Sequence, residues 1–498
     1  MRRLALAFVA TCIAAGCMVG PKYHRPPIAG TPAFKEAPPE GWKNAEPNEG
    51  LPRGHWWEIY NDPQLNDLVS KVELSNQNVI VAMAQYREAV DQVQIARAAL
   101  FPTVTATPSV VVTRGSTLSS RGQVIGGSSS SGTSSGGSTS TRGSTVNVNY
   151  AMPFDIAYQA DIWGNIRRSV TASKDTAQAS AADLENAKLT FQAQLAQMYF
   201  QLHGLDADAD LLRRNVAIFE QSLQLTEERF AAGVSSGADV AQAKTQLETT
   251  RAQLVEVGVG RAQFEHAIAV LIGETPAMVS IPEKIVNGPP PEIPLGVPST
   301  LMERRPDIAA TERAIAAANE QIGIAKAAYF PMLTLSGTGG FVSANLAKLF
   351  TVPSLFWSVG PQLAATLFDG GLRKGQVRFS QAAYDASVAT YRQTVLTAFQ
   401  QVEDQLSSLR ILAQEQAVEA EARKAAQEAV DIALAQYRAG TADYLAVIVL
   451  QAALLQAERL EIDILTRRLT ASVLLIEALG GGWNESQLPA HNMIHTSY

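Results

Sequence analysis

Cysteine is nearly absent from this 498-residue chain. Both copies, Cys12 and Cys17, fall in the first 17 residues, so no disulfide framework holds the rest together. Charge is sparse too: 17% of residues are charged, the formal net charge is −7, and no basic cluster stands out. That balance argues against nucleic acid as a partner. The six histidines, His24, His55, His203, His266, His491 and His495, show no metal-ligand spacing, and there is no Walker loop. His491 and His495 fall in what reads as a loose C-terminal tail. Gly233-Val234-Ser235-Ser236-Gly237 matches G-x-S-x-G, but it lies between two helices instead of after a strand, so it reads as a turn and not a nucleophile. No catalytic residue, metal or cofactor is expected. The chain reads as a non-enzyme, and energy for any transport has to come from a partner. Past the leader, no segment is long and charge-free enough for a transmembrane helix.

What is present begins with a leader. Arg2-Arg3 and the apolar run Leu4–Ala15 read as a secretory signal. Its end, Ala14-Ala15-Gly16-Cys17, resembles a bacterial lipobox with Ala14 where Leu is usual. Cys17 is therefore expected to become the lipidated N-terminus, and Cys12 to leave with the leader. The bland alternative is a plain signal peptide with an incidental cysteine.

The strongest signal lies between Leu195 and Phe230. Leu195, Met198, Leu202, Leu205, Ala209, Leu212, Val216, Phe219, Leu223, Thr226 and Phe230 are spaced alternately by three and four. Only Thr226 breaks this apolar seam of about five heptads, which reads as a coiled-coil helix. No proline interrupts the chain from about Asn165 to Ala232, and Gly204 is its only glycine before the turn. Such a helix is roughly 100 Å long. Asp206, Asp208, Asp210, Arg213 and Arg214 sit in it, so it runs through water beside other helices, not through a bilayer.

Around this helix the chain reads in order. Residues 18–55 are an extended Pro- and Gly-rich arm, ended by His55-Trp56-Trp57 as an apolar anchor. A helix follows over about Pro63 to Leu100, stopped by Pro102. Thr103–Thr113 and Val146–Ile162 alternate with period two, and the second carries Tyr150, Phe154, Ile156 and Tyr158 on one face, as outer-membrane barrel strands do. Pro108 and Pro153 suggest bulges or a membrane-edge position. Residues 114–145 are a Ser/Gly/Thr-rich polar loop. After the turn at Gly233, Asp239 reads as the cap of a helix to about Leu271.

The pattern then repeats. Gln321-Ile322-Gly323-Ile324-Ala325-Lys326-Ala327-Ala328-Tyr329-Phe330-Pro331 copies the run from Gln92 to Pro102, and Tyr437-Arg438-Ala439-Gly440 answers Phe230-Ala231-Ala232-Gly233. Two further strands lie near Leu333–Phe341 and Leu355–Leu367, with helices over Leu372–Arg438 and Asp443–Leu479. The expected organisation is a signal peptide (1–16), a lipidated arm (17–62), a first repeat of helix, two strands, long helix and helix (63–281), a linker (282–298), a second such repeat (299–481) and a C-terminal tail (482–498). The fold class is mainly α with a small β part, a tandem-duplicated long-helix coiled-coil barrel. Four strands cannot close a β-barrel, for which about eight is the minimum. Three chains would supply twelve, with polar inward residues around a water-filled lumen.

Together these residues resemble the TolC-like outer-membrane efflux factor family, in its OprM/NodT-type lipoprotein branch. The matching strings are Cys17-Met18-Val19-Gly20-Pro21-Lys22-Tyr23, His55-Trp56-Trp57 with Asp62-Pro63-Gln64-Leu65, and Arg304-Arg305-Pro306-Asp307-Ile308. Gly360-Pro361-Gln362-Leu363, Phe368-Asp369-Gly370-Gly371 and Ala478-Leu479-Gly480-Gly481-Gly482-Trp483 complete the set. The resemblance covers nearly the whole mature chain. It implies a homotrimeric, passive conduit in the outer membrane with a long periplasmic extension, lipid-anchored in the inner leaflet. It also implies docking to a periplasmic adaptor and a proton-driven inner-membrane pump, and export of small toxic compounds, hence antibiotic resistance. The runner-up is the outer-membrane channel of a protein secretion system. From another class come a periplasmic adaptor, which would need many short strands, and a structural coiled-coil lipoprotein, which would not need alternating ones.

Two turns carry functional weight, Ala231–Val240 and Ala439–Leu445. The resemblance makes Gly233, Ser235, Asp239, Gly440 and Thr441 adaptor-docking tips and places a channel aperture at Leu445, Val449 and Asp443. Family members often carry Asp where this chain has Val449, so closure here would rest on apolar packing and dewetting. The same residues also fit ordinary αα-hairpin turns with Gly at C′ and Asp as the next cap. Val449 fits coiled-coil core equally well. The Ser/Gly/Thr loop would lie outside the cell, or is simply flexible.

Overall fold

The computed structural model describes residues 18–27, 34–36, 55–114, 146–286, 288–293 and 301–494. Cys17, the leader, residues 115–145 and His495 lie outside the described residues. The chain divides into two compact units. One collects residues 94–171 and 320–381 with the N-terminal segment to Lys22; the other collects residues 23–93, 172–319 and 382–498. No helix among the described residues is long and apolar enough to cross a membrane.

The elements, in chain order, are α1 (Pro63–Ser75), α2 (Gln77–Ala98), β1 (Thr103–Ala106), β2 (Ser109–Arg114), β3 (Val146–Ala160), α3 (Asn165–Ala231) and α4 (Gly237–Leu271). Then come α5 (Leu301–Arg304), α6 (Pro306–Ala327), β4 (Met332–Ser343), β5 (Leu355–Ala364), α7 (Leu372–Ala439) and α8 (Tyr444–Ala478). The single helix expected from Pro63 to Leu100 is instead two. Asn76 ends α1 and caps α2, its Oδ1 accepting from the amides of Asn78 (2.9 Å) and Val79 (3.2 Å). Its Nδ2 donates to the Leu271 carbonyl at 2.7 Å, at the end of α4. An Asn side chain that satisfies amides and a foreign carbonyl together favours a break over helix interior.

In the helical unit the long seam is the core. Leu195, Leu202, Ala209, Leu212, Phe219 and Thr226 of α3 are buried, while Phe230 at its end is exposed. Thr226, the one polar seam residue, donates to the Ser222 carbonyl at 2.8 Å and so carries no free donor into the core. Trp56 and Trp57 are buried in the same cluster as Leu195 and Leu202; His55 is exposed. Gly204 has a packing reason: a Cβ there would lie 2.5 Å from Thr466 Oγ1 on α8.

Two of the mid-helix charges are buried and paired. Asp208 takes a two-pronged contact from Arg459 at 2.9 and 2.8 Å. Asp206 meets His203 Nδ1 at 2.8 Å and Arg261 Nε at 2.6 Å. Burial pushes the Asp206 carboxyl up, but hydrogen bonds from His203 and Arg261 outweigh it and hold the group below the usual range.

Residues 482–494 of the C-terminal segment are not loose. Trp483 packs with Ala182, Ala309 and Ala310, and Ile494 with Val93 and Ala177. His491 Nε2 stands 2.9 Å from Asp175 Oδ1, and Gln178 donates to the Pro489 carbonyl at 2.8 Å. Its polar composition hid two apolar plugs, Trp483 and Ile494, spaced too far apart to register as a pattern.

In the strand unit β3 lies between β4 on one side and β1 and β2 on the other; β5 pairs β4, and every pairing is antiparallel. The expected bulges at the prolines are absent. Ala106 pairs Phe154 and Ser109 pairs Ala151, one register on both sides of Pro108. Pro153 sits inside β3 opposite Gly340, where a Cβ would lie 2.2 Å from the Met152 carbonyl.

Candidate functional site

The two hairpin tips are built from the same helix ending. A long helix of Ala, Gln and Leu stops where glycine takes a left-handed backbone, at Gly233 (φ 75°) and Gly440 (φ 76°). The Gly233 amide donates to the Phe230 carbonyl and the Val234 amide to the Arg229 carbonyl, both at 2.9 Å; Gly440 and Thr441 do the same toward Tyr437 and Gln436, both at 3.0 Å. These paired bonds close the last carbonyls of the helix, as a Schellman ending does.

The following helices start differently. At the first tip the cap is Ser236, not Asp239. Asp239 stands three residues on, and the two form a reciprocal capping box: Asp239 N donates to Ser236 Oγ (3.2 Å) and Ser236 N to Asp239 Oδ2 (2.8 Å). Ser235 Oγ adds a 2.8 Å bond to the same carboxylate. The Ser236 backbone bond, with the hydroxyls, holds the Asp239 carboxyl below its usual range. At the second tip Asp443 occupies the cap position, but its side chain makes no capping bond. Thr441 Oγ1 donates backward to the Gln436 carbonyl at 3.1 Å.

Sequence reasoning did not single out what joins the tips. The Arg229 guanidinium lies 4.6 Å above the Tyr437 ring, and Tyr437 and Tyr444 rings are 5.2 Å apart. Tyr437 Oη donates to Thr226 Oγ1 at 3.4 Å. Burial pushes the Tyr444 hydroxyl up to about 12. The available signal was aromatic residues flanking the tip glycine on both sides, Tyr437 before and Tyr444 after.

Leu445 and Val449 stand one turn apart on α8, 54% and 59% exposed, while Tyr444 and Val447 beside them are buried. Within one chain, then, Val449 is not core. Asp443 is exposed next to them.

The sheet has two chemically distinct faces. Cross-strand partners share a face, so the register gives rows of Val104, Ile156, Gly337 and Val359, then Ala106, Phe154, Gly339 and Trp357, then Met152, Phe341 and Leu355. The alternate rows are Thr105, Asp155, Thr338 and Ser358, with Gln159, Thr334 and Gln362, and Asn147 with Thr113. One face is apolar and the other mostly polar, interrupted by Val111, Val342 and Phe356. At the turn after β3, Trp163 stacks on Phe330 at 4.6 Å and donates to the Pro331 carbonyl at 2.8 Å. The N-terminal segment docks there, the Val19 amide donating to the Trp163 carbonyl at 3.2 Å.

Known proteins carry the same pattern. A family model described as "Outer membrane efflux protein" matches residues 68–274 and 297–481. The chain is 30% identical over 485 residues to the "Probable efflux pump outer membrane protein TtgC" of Pseudomonas putida, covering 96% of this chain and 95% of that one. It is 30% identical over 433 residues to the "Pyoverdine export outer membrane protein OpmQ" of Pseudomonas aeruginosa, covering 87% and 88%. Among solved structures, the outer-membrane channel OprN superposes with a TM-score of 0.83 at 28% identity, over 94% of this chain and all of that one.

Proposed function

The chain belongs to the outer membrane efflux protein family and is the outer-membrane channel component of an efflux system, and from that premise we propose how it works. Three copies close their sheets into one β-barrel and form a passive, trimeric conduit. The observation that carries this is the open sheet. Among the described residues, β1 with β2 and β5 are edge strands, and the apolar face is exposed at Ile156, Trp357 and Val359. Open edges in lipid cost several kcal/mol for each unpaired backbone group. Edge-to-edge closure by further copies removes that cost, leaving the apolar face to lipid and the polar face to a water-filled lumen.

Cys17 carries the lipid that anchors the protein in the outer membrane. The tips at Gly233, Ser235 and Asp239 and at Gly440 and Thr441 meet a periplasmic adaptor, which connects the conduit to a proton-driven inner-membrane pump. Leu445 and Val449, one pair per copy, form an apolar constriction that closes by dewetting. The cargo is small organic compounds, in line with the export functions named for the relatives.

The experiment is heat-modifiable migration of the full-length protein from outer-membrane fractions. A trimer that dissociates only on heating is expected; a stable folded monomer in the outer membrane rules out the closure reading. Asp or Arg in place of Ile156 or Tyr158 is expected to block assembly, at about 2–4 kcal/mol per chain for Arg near mid-membrane and less for Asp. Mass spectrometry that finds an unmodified Cys17 in the mature protein removes the lipid anchor from the proposal.

A further inference from the structure

We propose that Asp155 sets the charge preference of the conduit, favouring cationic organic cargo over anionic. The inference rests on the trimeric-channel reading above. Across the strands of the sheet, only Asp155 and Arg114 carry charge. Arg114 ends β2 opposite Val146, in the register of the apolar face. Asp155 lies well inside β3 on the polar face, level with Thr105 on one side and Thr338 on the other. Thr338 Oγ1 donates to Asp155 Oδ1 at 2.7 Å, which fixes the carboxylate against the wall. No Lys or Arg of the described residues pairs with it.

Geometry decides whether such a charge is felt in the lumen. Twelve strands about 4.8 Å apart and tilted about 40° enclose a backbone radius of roughly 12 Å. An inward carboxylate shortens the distance from charge to axis to roughly 9 Å, close to the Debye length of about 10 Å at 0.1 M salt. Three such carboxylates at one level therefore overlap across the whole cross-section. At 1 M salt the Debye length is about 3 Å, and their influence shrinks to the wall. Leu445 and Val449 contribute no charge at the proposed constriction, but Asp443 is exposed beside them, so Asp443→Asn is measured alongside, and a preference that Asp443→Asn alone abolishes overturns the assignment to Asp155.

The test uses the full-length protein in planar bilayers under a KCl gradient near 0.1 M, with trimer assembly checked for each variant. Wild type is expected to pass K⁺ more readily than Cl⁻, and this preference is expected to fade in 1 M salt. Asp155→Asn should at least halve the permeability ratio, and Asp155→Lys should invert it. Thr105 is the register partner of Asp155, so Thr105→Asp combined with Asp155→Thr returns the carboxylate to the same level and should restore the preference. A ratio unchanged in Asp155→Asn, or lost and not restored by the relocated carboxylate, overturns the assignment. If wild-type trimers are held shut by the proposed constriction, the ratios are read with Leu445→Ser and Val449→Ser in every variant, and trimers that insert and still pass no ions in that background overturn the channel reading itself.

Discussion

The two helical hairpins finish their long helix alike and begin the next one differently. Gly233 and Gly440 make the same turn with the same pair of backbone bonds. Beyond it, Ser236 and Asp239 lock the start of α4, whereas Asp443 and Ala446, at the matching positions of α8, form no such lock. The joints diverge in the opposite sense. The break between α1 and α2 is held to α4 by the neutral Asn76 bonding the Leu271 carbonyl. The break between α5 and α6 is held to α8 by Arg305, which bonds the Ala478 carbonyl (3.0 Å), Gln401 (2.9 Å) and both Asp307 oxygens (3.0 and 2.7 Å). The second joint is therefore fastened through a charge where the first is fastened through neutral groups, Asn76 and Ser75 (Oγ to the Ile272 carbonyl, 2.6 Å), and the second tip lacks the capping box of the first.

Breaking the joints tests the contrast most severely. Arg305→Ala strands Asp307 without its buried partner and is expected to lower stability by about 3–5 kcal/mol. Asn76→Ala removes a cap and one carbonyl bond, for about 1–2 kcal/mol. The temperature at which the assembled protein dissociates on a gel should fall much further for the first than for the second; equal losses would remove the asymmetry. At the tips, replacing both Leu445 and Val449 with Ser should raise conductance in planar bilayers and antibiotic entry into cells. Ser at the matching Ala238 and Gln242 of the first hairpin should leave both unchanged. Wild-type conductance after the Leu445 and Val449 replacements would show that these two residues do not form the constriction.

A smaller effect sharpens the comparison from the other side. Asp443→Ser with Ala446→Asp transplants the capping box to α8 and should stabilise its first turn by about 1 kcal/mol. Slower amide exchange at Val447 would report it, and Ser236→Ala should speed exchange at Val240 by the matching amount. Acid gives the least perturbation. The Asp239 carboxyl is held below its ordinary value, so its contribution is complete above about pH 4. It is lost as pH falls through the depressed value. Protection from exchange at the first tip, taken relative to the intrinsic rate at each pH, should then fall in acid.

Much of this was legible from spacing alone. A period of three and four over Leu195–Phe230, with no proline from about Asn165 to Ala232, placed α3 to within a residue of its end, and a period of two placed β3, because one apolar and one polar face are written directly into the alternation. The copied run ending in Pro331 placed the second set of strands. What spacing could not carry is any role that depends on a distant carbonyl or charge. Asn76 sits in a helical pattern, and only Leu271 reveals it as a joint. Asp206 and Asp208 read as solvated charges until Arg261 and Arg459 come to meet them. Asp239 read as a cap because Asp caps helices often, yet Ser236 reached the position first. Trp483 and Ile494 lie in a stretch too short and polar to announce itself, and the partners that bury them are far away in sequence.

The prolines of the sheet have a mechanical consequence. Pro153 accepts from the Thr107 amide at 3.2 Å but cannot donate in return, and Pro108 beside it has no N–H either. The first strand and β3 are thus fastened at both ends and slack in the middle, in one unbroken register. A flat ribbon that must curl into a tube bends most easily where its cross-links are fewest. The slack lets that curvature gather at one height, without slipping a residue and without turning any apolar side chain toward the water.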